Sequence, residues 1–351
     1  MPDISADVLR PFIARIFEKA GSERPEAELI AKRLVSSNLA GHDSHGVVRV
    51  SAYIGWLKEG KISPNTHVRV VSESDAFAVL DGQSGYGQVI GTEAMDIGIA
   101  KARKAGVALI GLRHAHHIGR IGDWAEQCAA AGMASVHFVN VIHYGPAVAP
   151  FGGTERRFST NPICCGMPRP GQDPVVLDFA TSQVAEGKVI VAKNKGVDLP
   201  AGCILDGEGN PSVNPNDLYG PPEGTLLPFG LHKGSGLAIF ADIFAGAFSG
   251  GGCGHDGHPS RQQAHNNMLS IIMDVERIAG KEAAEREVDA FLKWVKSARP
   301  AVAGGEVLVP GEPEQRSRAQ RLAKGIPIDA TTWAAITDTA KSVGVSDIPT
   351  V

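Results

Sequence analysis

Helical periodicity crowds the two ends of this chain, and strand-like runs fill its middle. Residues 5–20 carry Val8, Leu9, Phe12, Ile13, Ile16 and Phe17 as one apolar stripe, and 25–40 carry Leu29, Ile30, Leu34 and Leu39 as another. Apolar residues three and four apart mark one face of a helix, and Ser5 and Pro25 stand where helix starts belong. Residues 282–297 and 333–342 repeat the pattern near the other end. Between them, 68–71, 77–81, 107–112, 135–139, 175–179 and 268–274 read as strands, with one helix ending near Lys104 and another over 124–131. Small turn residues at 206–210 predict a hairpin, and 235–248, rich in Ala, Gly and Phe, reads as a buried helix. This layout predicts an α/β chain with α+β-like segregation, in which both termini form one helical unit and the centre forms a sheet. We place the helical unit at 1–70 plus about 265–351, and the sheet-containing unit at 71–264.

Charge narrows the function. With 34 basic and 38 acidic residues the net charge is −4, so no broad positive field exists to neutralise nucleic-acid phosphates or adhere to an anionic membrane. No apolar run approaches the roughly 20 residues that span a bilayer, and the opening M-P-D-I-S-A-D-V-L lacks a secretory pattern, which predicts a cytoplasmic protein. The five cysteines, an odd number without framework spacing, predict reduced thiols. Aromatic residues make up only 6% of the chain against 42 glycines, which suits an α/β enzyme with tight turns better than a platform for stacking bases.

The chemistry concentrates in two segments, G-H-D-S-H-G-V-V-R at 41–49 and H-H-I-G at 116–119. The first brings Ser44, His45 and Arg49 within six residues; the second adds paired imidazoles beside a glycine. Arginine offers a fork of donors that matches a carboxylate, and histidine moves protons near neutral pH. Together they form a set of groups for holding a small carboxylate and shifting a proton beside it.

Two other segments imitate sites. Gly85-Tyr86-Gly87-Gln88-Val89-Ile90-Gly91 follows a strand and opens a helix, but its spacing is one residue off G-x-G-x-x-G and no acidic residue closes a second strand. A glycine turn that lets the helix pack closely is the better reading. Cys253, His255, Asp256 and His258 crowd metal-ligand types together, yet no second pair lies at zinc spacing and five glycines fall in 250–257, so no metal site is expected.

Seven ordered segments then carry a resemblance: the two above, V-A-P-F-G-G (148–153), T-N-P (160–162), D-F-A-T-S (178–182), L-P-F-G-L-H-K-G-S-G-L (227–237) and P-G-E-P-E (310–314). In these the chain resembles the malate/L-lactate dehydrogenase family, which includes ureidoglycolate, sulfolactate and diketogulonate oxidoreductases and piperideine-carboxylate reductases. The resemblance implies NAD or NADP as cofactor, a non-Rossmann fold with a central mixed or largely antiparallel sheet, and a homodimer. It implies His117 as acid/base, with Ser44, His45 and Arg49 lining a small carboxylate substrate. It implies cofactor contacts at Thr160 and Asn161, at Asp178, Phe179 and Ala180, at His232, Lys233 and Gly234, and at Gly311 and Glu312. This chain departs from the commoner pattern at Gly122-Asp123-Trp124 and in the segment 140–146, about two residues longer, so substrate identity does not carry over.

The implied reaction is reversible hydride transfer between nicotinamide and C2 of a small 2-oxo acid, with reduction of a cyclic imino acid as the alternative. His45 competes with His117 for the proton. A zinc hydrolase built on the histidines and a silent dinucleotide-binding protein are the rivals from other classes. The choice between NAD and NADP, the acid itself and the stereochemistry stay open at this stage.

Overall fold

The computed structural model describes residues 3–142, 146–256 and 265–349. Seven strands form the main sheet: β1 (Arg69–Glu73), β2 (Phe77–Asp81), β3 (Val107–Ala115), β4 (Met133–Ile142), β5 (Ile163–Met167), β6 (Val175–Phe179) and β7 (His265–Asp274). Their order across the sheet is β1-β2-β3-β7-β4-β5-β6. Only β2 and β3 pair in parallel; every other neighbour pair is antiparallel, so the sheet is mixed and largely antiparallel. Residues 265–274, expected at the start of the terminal helical unit, instead lie in the middle of the sheet between β3 and β4. The near-continuous burial of that run, from His265 to Ser270 without a break, is what a central strand covered on both faces shows.

The first helices are α1 (Ala6–Lys19), α2 (Arg24–Leu39), α3 (Arg49–Lys58), α4 (Gly87–Ala105), α5 (Gly122–Ala130) and α6 (Glu186–Lys195). They are followed by α7 (His232–Asp242), α8 (Val275–Ala279), α9 (Lys281–Lys296), α10 (Glu312–Lys324) and α11 (Ala330–Ser342). The Ser5 hydroxyl accepts the Val8 N–H at 3.3 Å and so caps α1. Both ends of the chain share one core, in which Leu9, Phe12 and Ile30 are buried with Ile326 and Ile336. A two-stranded ladder of Asp3–Ile4 on Ile326–Pro327 fastens the ends together. The hairpin expected at 206–210 is present, joining Ile204–Leu205 to Pro211–Ser212.

Helices cover both faces of the sheet. Gly98 of α4 lies against Ile110 and Ile272, whereas Ser249, just past α7, lies against Gly111. Adjacent residues of a strand face opposite sides, so α4 and α7 sit on opposite faces. The helix expected to be buried at 235–248 begins earlier, runs on as a π-turn over Ile243–Phe248, and leaves Ile239, Phe240, Ile243 and Phe248 exposed. Its composition signalled apolarity, but among the described residues only one side of it is covered.

His137 is fully buried in β4, between the hydroxyls of Ser270 at 2.8 Å and Ser135 at 2.9 Å. Burial pushes its imidazole down to about 3. The unfolded chain protonates this ring near 6.5 and the folded chain does not, so the unfolded state binds more protons between about 6.5 and 3 and stability falls with pH across that window. The slope from this residue reaches up to about 1.4 kcal/mol per pH unit. Urea-unfolding midpoints at pH 7.5, 6 and 5 measure it: the wild-type chain is expected to lose stability more steeply than His137→Gln, and equal slopes would clear His137 of the effect.

Candidate active site

The 41–49 motif folds as a turn between α2 and α3 (the 3-10 turn Asp43–His45), and it is pinned from three sides. Asn38 at the end of α2 donates to Asp43 at 2.6 Å and accepts from the Val47 N–H at 2.8 Å. Arg321 of α10 pairs with Asp43, and His42 Nε2 lies 3.1 Å from Glu314 at the start of α10. The turn thereby presents Ser44, His45 and Arg49 together. Ser44 Oγ is 3.1 Å from His45 Nδ1, and Arg49 Nε donates to the Ser44 carbonyl at 2.6 Å. Among the described residues no acceptor meets the two terminal nitrogens of Arg49, which leaves its fork open.

The 116–119 segment leaves the end of β3 and enters α5. The His117 N–H donates to His116 Nδ1 at 2.9 Å, and the Ile118 N–H donates to Asn266 at 3.0 Å. Gly87, the first residue of α4, backs directly onto this loop: a Cβ there would collide with the His117 carbonyl oxygen. The glycine segment set aside as a nucleotide site thus serves close packing, and it packs under His117. The His117 and His45 rings lie parallel, 5.7 Å apart. Tyr53 Oη is 2.6 Å from His117 Nδ1, and Gln88 donates to the same oxygen at 2.8 Å.

These surroundings set the charge. Burial first, then Arg49, His45 and His116, hold His117 well below its ordinary value. Burial and then Arg49 lower His45 to about 3. At neutral pH the site therefore holds neutral imidazoles beside one open guanidinium.

A second wall is built from three strands of irregular chain. Thr181 donates from its N–H and hydroxyl to the Thr160 carbonyl, both at 2.9 Å, and from its hydroxyl to the Asn161 carbonyl at 3.1 Å. The Phe229 N–H donates to the Thr181 carbonyl at 3.0 Å, and Gly234 is wedged so close to Phe229 and Thr181 that no side chain fits. Thr160, Asn161, Phe179, Ala180 and the first turn of α7 thus lie side by side, with Phe179 edge-on to Phe229 at 5.5 Å. His232 and Lys233 are exposed, and Lys233 meets no anion among the described residues. Asp178 is held within the fold: it accepts the Gly122 N–H at 2.7 Å, and its carboxyl is raised by burial. Asn161 donates to Asp242 at 3.0 Å, while its side-chain oxygen is buried with no partner among the described residues.

Gly311 abuts the other end of β6, where a Cβ would lie 3.3 Å from the Pro174 carbonyl and the Val176 N–H. Glu312 faces Lys296 and the Val309 N–H, so its side chain serves the start of α10. Beside Gly311 opens a cavity of about 1030 Å³, lined among others by Arg120, Val176, Glu314 and Arg318. None of Arg49, His117, Asn161 and Lys233 lines this cavity, which lies at the Val175 end of β6. Among the described residues, no three His, Cys, Asp or Glu side chains converge as metal ligands; His258 lies outside those residues, as do 143–145 of the long 140–146 segment.

The sequence model of the malate/L-lactate dehydrogenase family matches residues 4–337. The chain belongs to this family. Hydroxycarboxylate dehydrogenase B of Escherichia coli (strain K12) is 44% identical over 344 residues, 97% of this chain and 94% of that protein. The solved structure of sulfolactate dehydrogenase from Methanocaldococcus jannaschii matches with a TM-score of 0.88 and 33% identity over 98% of each chain. That of Δ1-piperideine-2-carboxylate reductase from Pseudomonas syringae pv. tomato matches with 0.84 and 30% identity over 97% of this chain and 100% of the other.

This malate/L-lactate dehydrogenase family member also uses residues that the sequence left unmarked. Glu314 sits within P-G-E-P-E, but only its contact with His42 reveals a tie between α10 and the active-site turn. Arg120 follows H-H-I-G directly. It is 2% exposed, bonds Asp123 at 2.9 Å and Glu126 at 2.8 Å, and reaches within 4.0 Å of Asp178. Tyr53 stands in no sequence motif, and Gln88 only within the glycine segment at 85–91.

Gly87→Ala tests the packing beneath His117. Inserting a methyl against a fixed backbone costs about 1–3 kcal/mol, so the variant should unfold at lower temperature and bind substrate carboxylate less tightly. A melting temperature unchanged from wild type would show that the loop gives way freely.

Proposed function

We propose that the chain is an NAD(P)-dependent 2-hydroxy acid dehydrogenase that interconverts a small 2-oxo acid and its 2-hydroxy acid. The observation that carries the reading is the open Arg49 fork beside the paired neutral rings of His45 and His117. Bound nicotinamide supplies or accepts the hydride. Arg49 pairs with the substrate carboxylate and fixes the reacting carbon. His117, protonated during reduction, gives its proton to the carbonyl oxygen, and Ser44 and His45 hydrogen-bond the developing alkoxide. Thr160, Asn161, Phe179, Ala180, His232, Lys233 and Gly234 are assigned to the nicotinamide and phosphate side, and Asp178, Gly311 and Glu312 to the chain segments that shape it. The likeness to the piperideine-carboxylate reductase supports the alternative, in which the same groups act on a C=N bond.

Two further readings belong with it. The exposed apolar side chains of Ile239, Phe240, Ile243 and Phe248 support a homodimer. The five unpaired cysteines support a reducing compartment, the cytoplasm. No helix among the described residues is long and apolar enough to cross a membrane.

The test is oxidation of NADH and of NADPH at 340 nm against a panel of 2-oxo acids and cyclic imino acids. His117→Ala should lower kcat by about 10²–10⁴, and Arg49→Lys should raise the KM for the acid about tenfold to a hundredfold, the worth of a charge-assisted pair. Full activity in His117→Ala moves the proton transfer to His45, and silence with every acid and both nucleotides leaves a binding protein. The pH dependence has a definite sign. His117 is neutral in the free enzyme above its lowered value, so kcat/KM for hydroxy-acid oxidation should be flat above pH 6.5 and decline only on further acidification. In the same range kcat/KM for reduction should fall about tenfold per pH unit, because that direction consumes the proton.

A further inference from the structure

The loop that carries His117 has several backbone N–H groups to place in the interior, and a buried one left unpaired is costly. The His114 N–H donates to Asn267 at 2.9 Å, the His116 N–H to the Gly85 carbonyl at 3.1 Å, and the Ile118 N–H to Asn266 at 3.0 Å. Each of these acceptors comes from another part of the fold. The His117 N–H is met differently: it donates to Nδ1 of His116, the residue before it, at 2.9 Å. The His116 ring is 1% exposed and lies against Trp56 of α3 with centroids 4.7 Å apart, so it has no room to swing aside. Its second nitrogen, Nε2, is buried and meets no hydrogen-bond partner among the described residues.

A nitrogen that accepts carries no hydrogen, so neutral His116 keeps its one hydrogen on the idle Nε2. Turning the ring over would set Cδ2 against the His117 N–H and strand that donor. Burial first, then His265 and Lys61, lower His116 to about 3, so Nδ1 stays an acceptor near neutral pH. The N–H of His117 belongs to the rigid peptide plane on one side of its Cα; its carbonyl and the Ile118 N–H belong to the plane on the other. Gly87 and Asn266 hold the second plane, and the His116 imidazole holds the first. With both planes held, the direction in which the His117 side chain leaves the backbone is set. We propose that His116 is a positioning residue: its Nδ1 holds the peptide that places the His117 ring beside His45. The proposal rests on His117 being the acid/base. Of the two adjacent imidazoles, one then serves the substrate and the other serves the backbone.

Three substitutions separate the acceptor from the bulk of the ring. In His116→Asn the amide oxygen stands about where Nδ1 stands, and the idle nitrogen is gone. In His116→Gln the amide lies one methylene further out, nearer the place of Nε2. His116→Leu fills the space and accepts nothing. The experiment follows hydrogen exchange of the His117 amide by NMR in ¹⁵N-histidine-labelled protein, with His117→Ala identifying the peak. Beside it, kcat and KM are measured with the 2-oxo acid and nucleotide that the panel turns over fastest, and thermal unfolding is recorded for every variant. Exchange at His117 is expected to be about fivefold to tenfold faster in His116→Gln and His116→Leu, the worth of one hydrogen bond, and within about twofold of wild type in His116→Asn. In the same two variants kcat is expected to fall about tenfold to a hundredfold, the cost of a reacting group displaced by about an ångström, with KM within about twofold because Arg49 is untouched. His116→Asn is expected to keep kcat within about threefold of wild type, although it leaves a gap beside Trp56.

A residue that only filled space would rank the variants by melting temperature, and kcat that follows that ranking overturns the proposal. So does an Asn variant as slow as Gln, a comparison that decides even where His116→Leu does not fold. Faster exchange with kcat intact, in a protein whose His117→Ala form is inactive, overturns the positioning step and leaves the dehydrogenase reading standing. Full activity in His117→Ala removes the acid/base reading and the proposal together.

Discussion

The insertion of β7 between β3 and β4 is the constraint on which the site depends. Its register sets Asn267 opposite Asn140 and Asn266 opposite Val141, so three asparagines meet in the interior. Asn266 accepts from Ile118 and donates to the Asn140 carbonyl at 3.1 Å, while Asn267 accepts from His114 at 2.9 Å and donates to the Asn140 side chain at 3.0 Å. Asn140 in turn donates to Asp242 of α7 at 2.9 Å, and Asp242 accepts from Asn161. One buried chain of amides thus fixes the His117 loop against the Thr160–Asn161 wall. Low dielectric makes such a network costly to leave half-formed, and a one-residue slip of β7 would turn every asparagine to the wrong face.

Within that frame the electrostatics are spare. Arg49 is an open cation, and the rings around it are kept neutral by burial and by its own charge. A carboxylate that pairs with Arg49 offsets the charge that holds protons off His117. Anion binding and proton uptake at this site are therefore linked, and the linkage acts equally in both directions.

Local patterns made much of this legible. The terminal helices announced themselves by stripes such as Leu9, Phe12 and Ile16, and β2 and β6 by short apolar runs. The chemistry-bearing segments were visible because Ser44, His45 and Arg49 are contiguous and His117 stands in a histidine pair. What stayed hidden depends on distant partners. Residues 265–267 are polar and look like loop; only the neighbours on both sides make them strand. Tyr53 is as buried as a core residue and differs from one only in what its hydroxyl meets. Glu314 and Arg120 are ordinary charges until the fold brings His42 and Asp178 beside them. The exposed side of α7 is not legible because composition reports apolarity without saying which residues are covered.

The central position of β7 also dictates when the protein can come into being. A ribosome adds roughly 5–20 residues per second, so β4 emerges on the order of ten seconds before the strand that must lie beside it. Throughout that interval β3 and β4 each carry an unsatisfied edge, and such edges invite pairing with the wrong strand. The helical unit waits longer still, since Ile326 and Ile336 close its core. The nascent chain thus has no partial version of the His117 loop to offer: the loop acquires its amide anchors in the same event that seals the sheet.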